Sequence, residues 1–300
     1  MNNKILSLAK ILKSSDNIVF FGGAGVSTES NIPDFRSADG LYNSKYQNYS
    51  PEKIISHTFF MKNPQLFYEY YFDKMVYLNA LPNKAHYALA RLEELGKLKA
   101  VITQNIDNLH QAAGSKKVFE LHGSVHRNYC TKCNKFYTPK ELLKIKDNPY
   151  CSCGGIIKPD VVLYEEPLDE TIIDNALEHI INAKVLIVAG TSLLVQPAAS
   201  FVSYFRGQYL IIINKEPTHL DSYATLVFHE NVGDVLEEAL KNTFRPEFLN
   251  RVDEIVIFDS LTKTQLLEIV DLLLKSTSES LANKDISLFS ITSINILENC

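Results

Sequence analysis

The chain has 300 residues, 46% of them hydrophobic, enough to bury a sizeable core in one large domain or two smaller ones. Thirty basic against 35 acidic side chains leave a formal charge of −5, so the basic excess that draws a protein to phosphate backbones is missing and no direct nucleic-acid partner is expected. No apolar run reaches the roughly eighteen residues of a membrane span, and Lys10 and Lys13 interrupt the N-terminal Ile5, Leu8, Ile11 and Leu12, unlike a secretory signal. No membrane association is expected. A cytoplasmic location follows, with reduced thiols that make the five cysteines candidate metal ligands.

The N-terminal stretch has helical spacing, and after it come a buried strand at 18–21, the glycine turn Gly22-Gly23-Ala24-Gly25 and a helix expected to start near Ser27. A strand that ends in small residues before a helix lets backbone approach a pyrophosphate and points helix N–H groups at its charge. The spacing is not the full G-x-G-x-x-G, and the turn alone also reads as an ordinary strand-to-helix connection. The continuation from Val26 to Ser37 is too polar for a packing loop. Its Arg36 is either a guanidinium fork for phosphate or a solvated loop arginine.

Apolar runs at 100–103, 118–121, 185–189 and 210–213 read as strands covered on both faces, alternating with helices at 84–95 and 169–183. Such alternation predicts a mostly parallel, doubly wound sheet. Gln104-Asn105-Ile106-Asp107 follows the run at 100–103 and gathers amide and carboxylate groups at a strand's C-terminal end, where ligands of open α/β sheets bind. These groups fit a carboxamide and a ribose, although Asn and Asp are also common turn residues. The run at 118–121 leads into His122-Gly123-Ser124, a histidine at a strand exit that can serve as general base or be structural.

Between about 127 and 159 the pattern breaks into a cysteine-, lysine- and glycine-rich stretch with few apolar residues. Cys130 and Cys133 are two residues apart, Cys151 and Cys153 one, and four thiolates close a tetrahedral zinc site with no open position, which makes the metal structural. Disulfides are the alternative, disfavoured by a reducing compartment and by the short spacings. Cys300 is left over as an inert thiol.

The run from Gly23 to Ser37, with its Pro33-Asp34-Phe35-Arg36 ending, resembles the sirtuin cofactor loop, and Gln104-Asn105-Ile106-Asp107 and His122-Gly123 match two further motifs of that family in order. The resemblance covers 1–241 and implies a Rossmann-like doubly wound parallel sheet with the zinc ribbon inserted. It implies an NAD-dependent protein lysine deacetylase or deacylase. The acyl oxygen attacks the nicotinamide ribose, nicotinamide leaves, His122 activates a ribose hydroxyl and the acyl group ends on ADP-ribose.

By the same resemblance, Gly23, Ala24, Gly25, Thr28 and Asp34 line the cofactor, Arg36 holds phosphate or ribose oxygens and Phe35 shields the nicotinamide end. Gln104 faces the ribose, and Ile106 and Asp107 bind the carboxamide beside Asn105. Gly190, Thr191, Ser192 and Asn214 supply further ribose and adenine contacts, and Val232 closes over the adenine. Residues 158–166 pair with an acylated protein or peptide as an added strand, with Val162, Leu163, Tyr164 and Phe35 about the acyl-lysine. Where the family usually has Phe-Gly-Glu this chain has Tyr164-Glu165-Glu166, and 70–75 lacks the Tyr-x-x-Arg of members preferring acidic acyl groups, so a neutral acyl group is expected.

Beyond Lys241 the character changes, and 242–300 is expected to be an α/β appendage resembling a truncated C-terminal part of a Clp-type unfoldase ATPase module. No Gly-x-x-x-x-Gly-Lys loop occurs, so ATP hydrolysis is not expected of it. Two rival readings use the same cofactor pocket or its neighbours: ADP-ribosyl transfer to protein, and a non-catalytic NAD-binding scaffold.

Overall fold

The computed structural model describes residues 2–34 and 45–243. Phe35, Arg36 and the Clp-like stretch from 244 onward lie outside the described residues. Helix α1 (Asn2–Ser14) buries Ile5, Leu8 and Leu12 and leads into β1 (Ile18–Gly22), buried at every position.

The helix expected near Ser27 does not form. Ala24–Val26 and Thr28–Ser30 are two 3-10 turns, the second ended by Asn31 in the left-handed region at φ 60°. Thr28 Oγ1 donates to Gly25 O at 3.0 Å, the kind of local side-chain bond that competes with a continuing helix.

Three short helices follow: α2 (Pro51–Ile54), α3 (His57–Lys62) and α4 (Pro64–Lys74). Ser50 and Ser56 cap the first two, and proline opens α2 and α4, where no helical N–H is lost. Next come α5 (Lys84–Glu94), β2 (Leu98–Thr103), α6 (Leu109–Ala112) and β3 (Val118–Glu120). A small module then holds β4 (Gly123–Cys130), β5 (Phe136–Tyr137), α7 (Pro139–Lys144) and β6 (Ile157–Val161). The described chain closes with α8 (Glu170–Asn182), β7 (Val185–Ala189), β8 (Tyr209–Ile213), β9 (Leu226–Phe228) and α9 (Val232–Thr243).

The main sheet has the order β3-β2-β1-β7-β8-β9 with every pair parallel. Helices α1, α5 and α9 cover one face. Helix α8 and the 3-10 turn Ala198–Tyr204 cover the other. The chain runs outward from β1 to β3, then returns to β7 on the other side of β1, and a crevice opens at the carboxyl ends where these directions part.

The small module is an antiparallel sheet of order β5-β4-β6. A third apolar cluster joins it to the helices: Phe60, Phe67, Tyr68 and Tyr71 pack with Cys130, Cys151 and Ile157. Tyr68 fixes the contact by donating its hydroxyl hydrogen to Ile157 O. Among the described residues no helix is long and apolar enough to cross a membrane.

Candidate active site

A cavity of about 810 Å³ opens at the carboxyl ends of the main sheet, and every described residue named above for the cofactor or the acyl-lysine lines it, whereas Lys158, Pro159 and Asp160 of the expected peptide-pairing stretch do not. The glycines of its centre serve each other first. Gly25 N donates to Gly190 O at 2.8 Å, and a Cβ on Gly25 would lie 2.8 Å from Gly190 Cα. Gly190 itself sits at φ 58°, and a Cβ there would come within 2.4 Å of Val26 N. Missing side chains thus let the exits of β1 and β7 touch, which leaves a floor of bare backbone to which a phosphate can come close. That floor is formed by turns, so the helix dipole expected at Ser27 contributes nothing.

The exit of β2 is knitted to both turns. Gln104 N donates to Gly22 O at 3.0 Å, and Gln104 Nε2 donates to Thr191 Oγ1 at 3.2 Å. Ser27 occupies the centre: its hydroxyl donates to Asp107 Oδ2 at 2.6 Å and accepts from Asn105 Nδ2 at 3.0 Å. Leu109 N donates to Asp107 Oδ1 at 2.9 Å. Burial raises the Asp107 carboxyl above the usual range, against the lowering effect of these bonds. In the sequence Ser27 reads only as a helix start, since a loop serine gives no local signal of such a position.

His122 leaves β3 half-buried, with Nδ1 2.9 Å from Gln104 O. A carbonyl only accepts, so Nδ1 carries the proton and Nε2 keeps its lone pair. Desolvation holds this imidazole below its ordinary pKa, which favours the neutral ring. Gly123 next to it has φ 75°, and a Cβ there would lie 1.9 Å from Asp160 O. The chain therefore turns into β4 against β6 only with glycine at this point.

Val162 N donates to His122 O at 3.0 Å, so these two residues of the cavity lining share one backbone bond. Strand β6 ends at Val161, and the stretch after it is bridged to α3: Ser56 and Tyr164 pair, with Tyr164 N donating to Ile55 O and His57 N to Tyr164 O, both at 3.0 Å. Glu166 accepts from Leu163 N at 2.8 Å and meets Lys158 Nζ at 3.0 Å, while Glu165 caps Thr58 N at 2.9 Å. Val232 opens α9 at 4% exposure, so it is both cavity wall and core.

The Sγ atoms of Cys130, Cys133, Cys151 and Cys153 all lie within 4.8 Å of one another. Two pairs stand 3.4 and 3.6 Å apart, and none forms a disulfide. Zinc–sulfur bonds of about 2.3 Å in a tetrahedron give sulfur–sulfur edges of about 3.8 Å, so the four thiols fit zinc. Gly155 permits this closeness, since a Cβ there would lie 2.6 Å from Cys130 Sγ.

The cavity also fits a dinucleotide, its lining combining amides and a carboxylate with His122, a glycine floor, Asn214 and Val232. The Sir2 family matches residues 23–197. An NAD-dependent protein deacetylase of Clostridium perfringens (strain 13 / Type A) is 57% identical over 243 residues, covering 80% of this chain and 100% of its own. A fifth of this chain thus has no counterpart there. A protein of the same description from Clostridium acetobutylicum is 56% identical over 79% of this chain and 98% of its own. A solved Sir2 homologue–NAD complex superposes with a TM-score of 0.72 at 41% identity, covering 79% of this chain and 93% of that one. A Sir2–p53 peptide–NAD+ structure superposes at 0.70 and 38%, covering 80% and 97%. A parallel sheet with its cavity at the β1–β7 switch, identity of this level along nearly the whole of those relatives and the family match agree: the chain belongs to the Sir2 family.

Proposed function

We propose that this chain is an NAD-dependent protein lysine deacetylase with His122 as its base. The observation that carries the reading is the His122–Gln104 bond, which commits Nδ1 as donor and leaves a basic Nε2 on a residue of the cavity wall. NAD, when bound, supplies a glycosidic bond that releases nicotinamide and a ribose that takes up the acyl group. Neutral His122 accepts the proton of a ribose hydroxyl, a task suited to an imidazole of lowered pKa.

Gly23, Ala24, Gly25, Thr28, Asp34 and Arg36 hold the diphosphate and nicotinamide side, and Gly190, Thr191, Ser192, Asn214 and Val232 the adenosine side. Gln104, Asn105, Ile106 and Asp107 grip the nicotinamide ribose and carboxamide. Val162, Leu163, Tyr164 and Phe35 wall the acyl-lysine, and the stretch after β6 presents its backbone to an extended acylated peptide. Residues 1–241 form the deacylase domain with the ribbon at about 127–159, and a cytoplasmic location keeps its four thiols reduced for zinc. Residues 242–300 are read, on sequence alone, as a truncated C-terminal fragment of a Clp-type ATPase module, and no phosphate loop for ATP occurs in the sequence.

A lysine peptide carrying a labelled acetyl group tests the reaction. With NAD, the label is expected on ADP-ribose. Label retained on the peptide while ADP-ribose accumulates on protein would replace this reading with ADP-ribosyl transfer, and NAD binding without turnover would replace it with a scaffold.

A further inference from the structure

The stretch from Ala24 to Ser30 runs along the cavity as two short 3-10 turns, whose own bonds, such as Ser27 N to Ala24 O and Ser30 N to Ser27 O, close each turn locally without anchoring it to the rest of the fold. Its position depends on ties from outside. On the sheet side these are the Ser27 bonds to Asp107 and Asn105. From α9, Gly233 N–H meets the Glu29 carboxylate. From α5 the tie is Asn83, whose Nδ2 donates to Val26 O at 2.8 Å and to Ser30 Oγ at 3.0 Å.

Asn83 also caps α5, with its Oδ1 accepting from Ala85 N at 2.9 Å. Capping alone does not require an amide. Asp and Ser cap as well as Asn does, but neither brings two N–H donors. Only a carboxamide serves the helix with its oxygen and the turns with its nitrogen.

We infer that Asn83 is a positioning residue for the NAD-binding turns, fixing Val26 and Ser30 so that Ser27, Thr28 and Glu29 stand in register with the cavity. It does so from a half-buried position outside the set of cavity-lining residues. The inference rests on the proposal that these turns hold NAD. Replacement should weaken NAD binding while leaving the acyl-lysine wall, on the stretch after β6, undisturbed.

The test is calorimetric titration of NAD into full-length wild type, Asn83→Ser and Asn83→Asp, with melting temperatures and steady-state kinetics on an acetyl-lysine peptide. Both variants retain a good cap, so the melting temperature should fall by a few degrees at most, as expected for the two lost hydrogen bonds. The NAD dissociation constant should rise about tenfold in Asn83→Ser, where the untied turns would hold the binding-competent position about a tenth of the time. It should rise further in Asn83→Asp, where a carboxylate oxygen would face Val26 O. The KM for NAD should follow, with kcat and the peptide KM unchanged. Unaltered NAD affinity in both variants overturns the inference, as does a loss of activity that extends to kcat and the peptide KM. Wild type without NAD affinity overturns the functional reading itself, and is told apart because it needs no variant.

Discussion

His122 is placed by two neighbours that do no chemistry. Gln104 O selects its tautomer at 2.9 Å, and Gly123, which no side chain can replace without striking Asp160 O, sets the direction in which the chain leaves β3. Burial lowers the imidazole pKa, so the sign of the pH dependence follows. As the proposed base, His122 must be neutral, and activity is then lost as pH falls through its folded pKa, which lies below the ordinary 6.5. The acid limb of kcat/KM, measured with NAD and acetyl-lysine peptide, is therefore expected below pH 6.5, and a limb above that value contradicts the assignment.

The ribbon and helices α2 to α4 stabilise one another as elements. Cys130 and Cys151 are buried in the aromatic cluster, whereas Cys133 and Cys153 are exposed. Replacing an exposed cysteine removes little packing, so Cys133→Ser isolates the metal's contribution. Purified protein should hold one zinc, and Cys133→Ser should lose it and melt several degrees lower, since structural zinc sites contribute folding free energy directly. Metal analysis and calorimetric melting check this. A variant that keeps zinc, or wild type that never held it, contradicts the site. Loosening the ribbon also reaches the cavity, because β6 runs from the ribbon to Val161 beside His122.

Across the molecule, what the sequence made legible was local. Continuous apolar runs located β1, β2, β3, β7 and β8 within one or two residues, and polar clusters at their exits located the cavity. Cysteine spacing located the ribbon ligands. What stayed hidden depends on partners distant in the chain. The turns at Ala24–Val26 and Thr28–Ser30 are held from α5, α9 and β2, so local propensity pointed to a helix instead. Helix α4 buries Phe67, Tyr68, Tyr70 and Tyr71 around much of its circumference, which blurs the amphipathic period. The bridge from Ser56 to Tyr164 joins residues more than a hundred positions apart, and no motif announces it. The proposed reaction requires dinucleotide, acyl-lysine and imidazole to meet in one cavity. The most direct measurement is the stoichiometry of nicotinamide release against peptide deacetylation for wild type and His122→Ala, with NAD affinity determined in parallel. One nicotinamide per deacetylated lysine is predicted for wild type, and turnover lower by about a hundredfold or more with NAD still bound for the variant. Equal deacetylation by both proteins, or deacetylation without nicotinamide release, would contradict it.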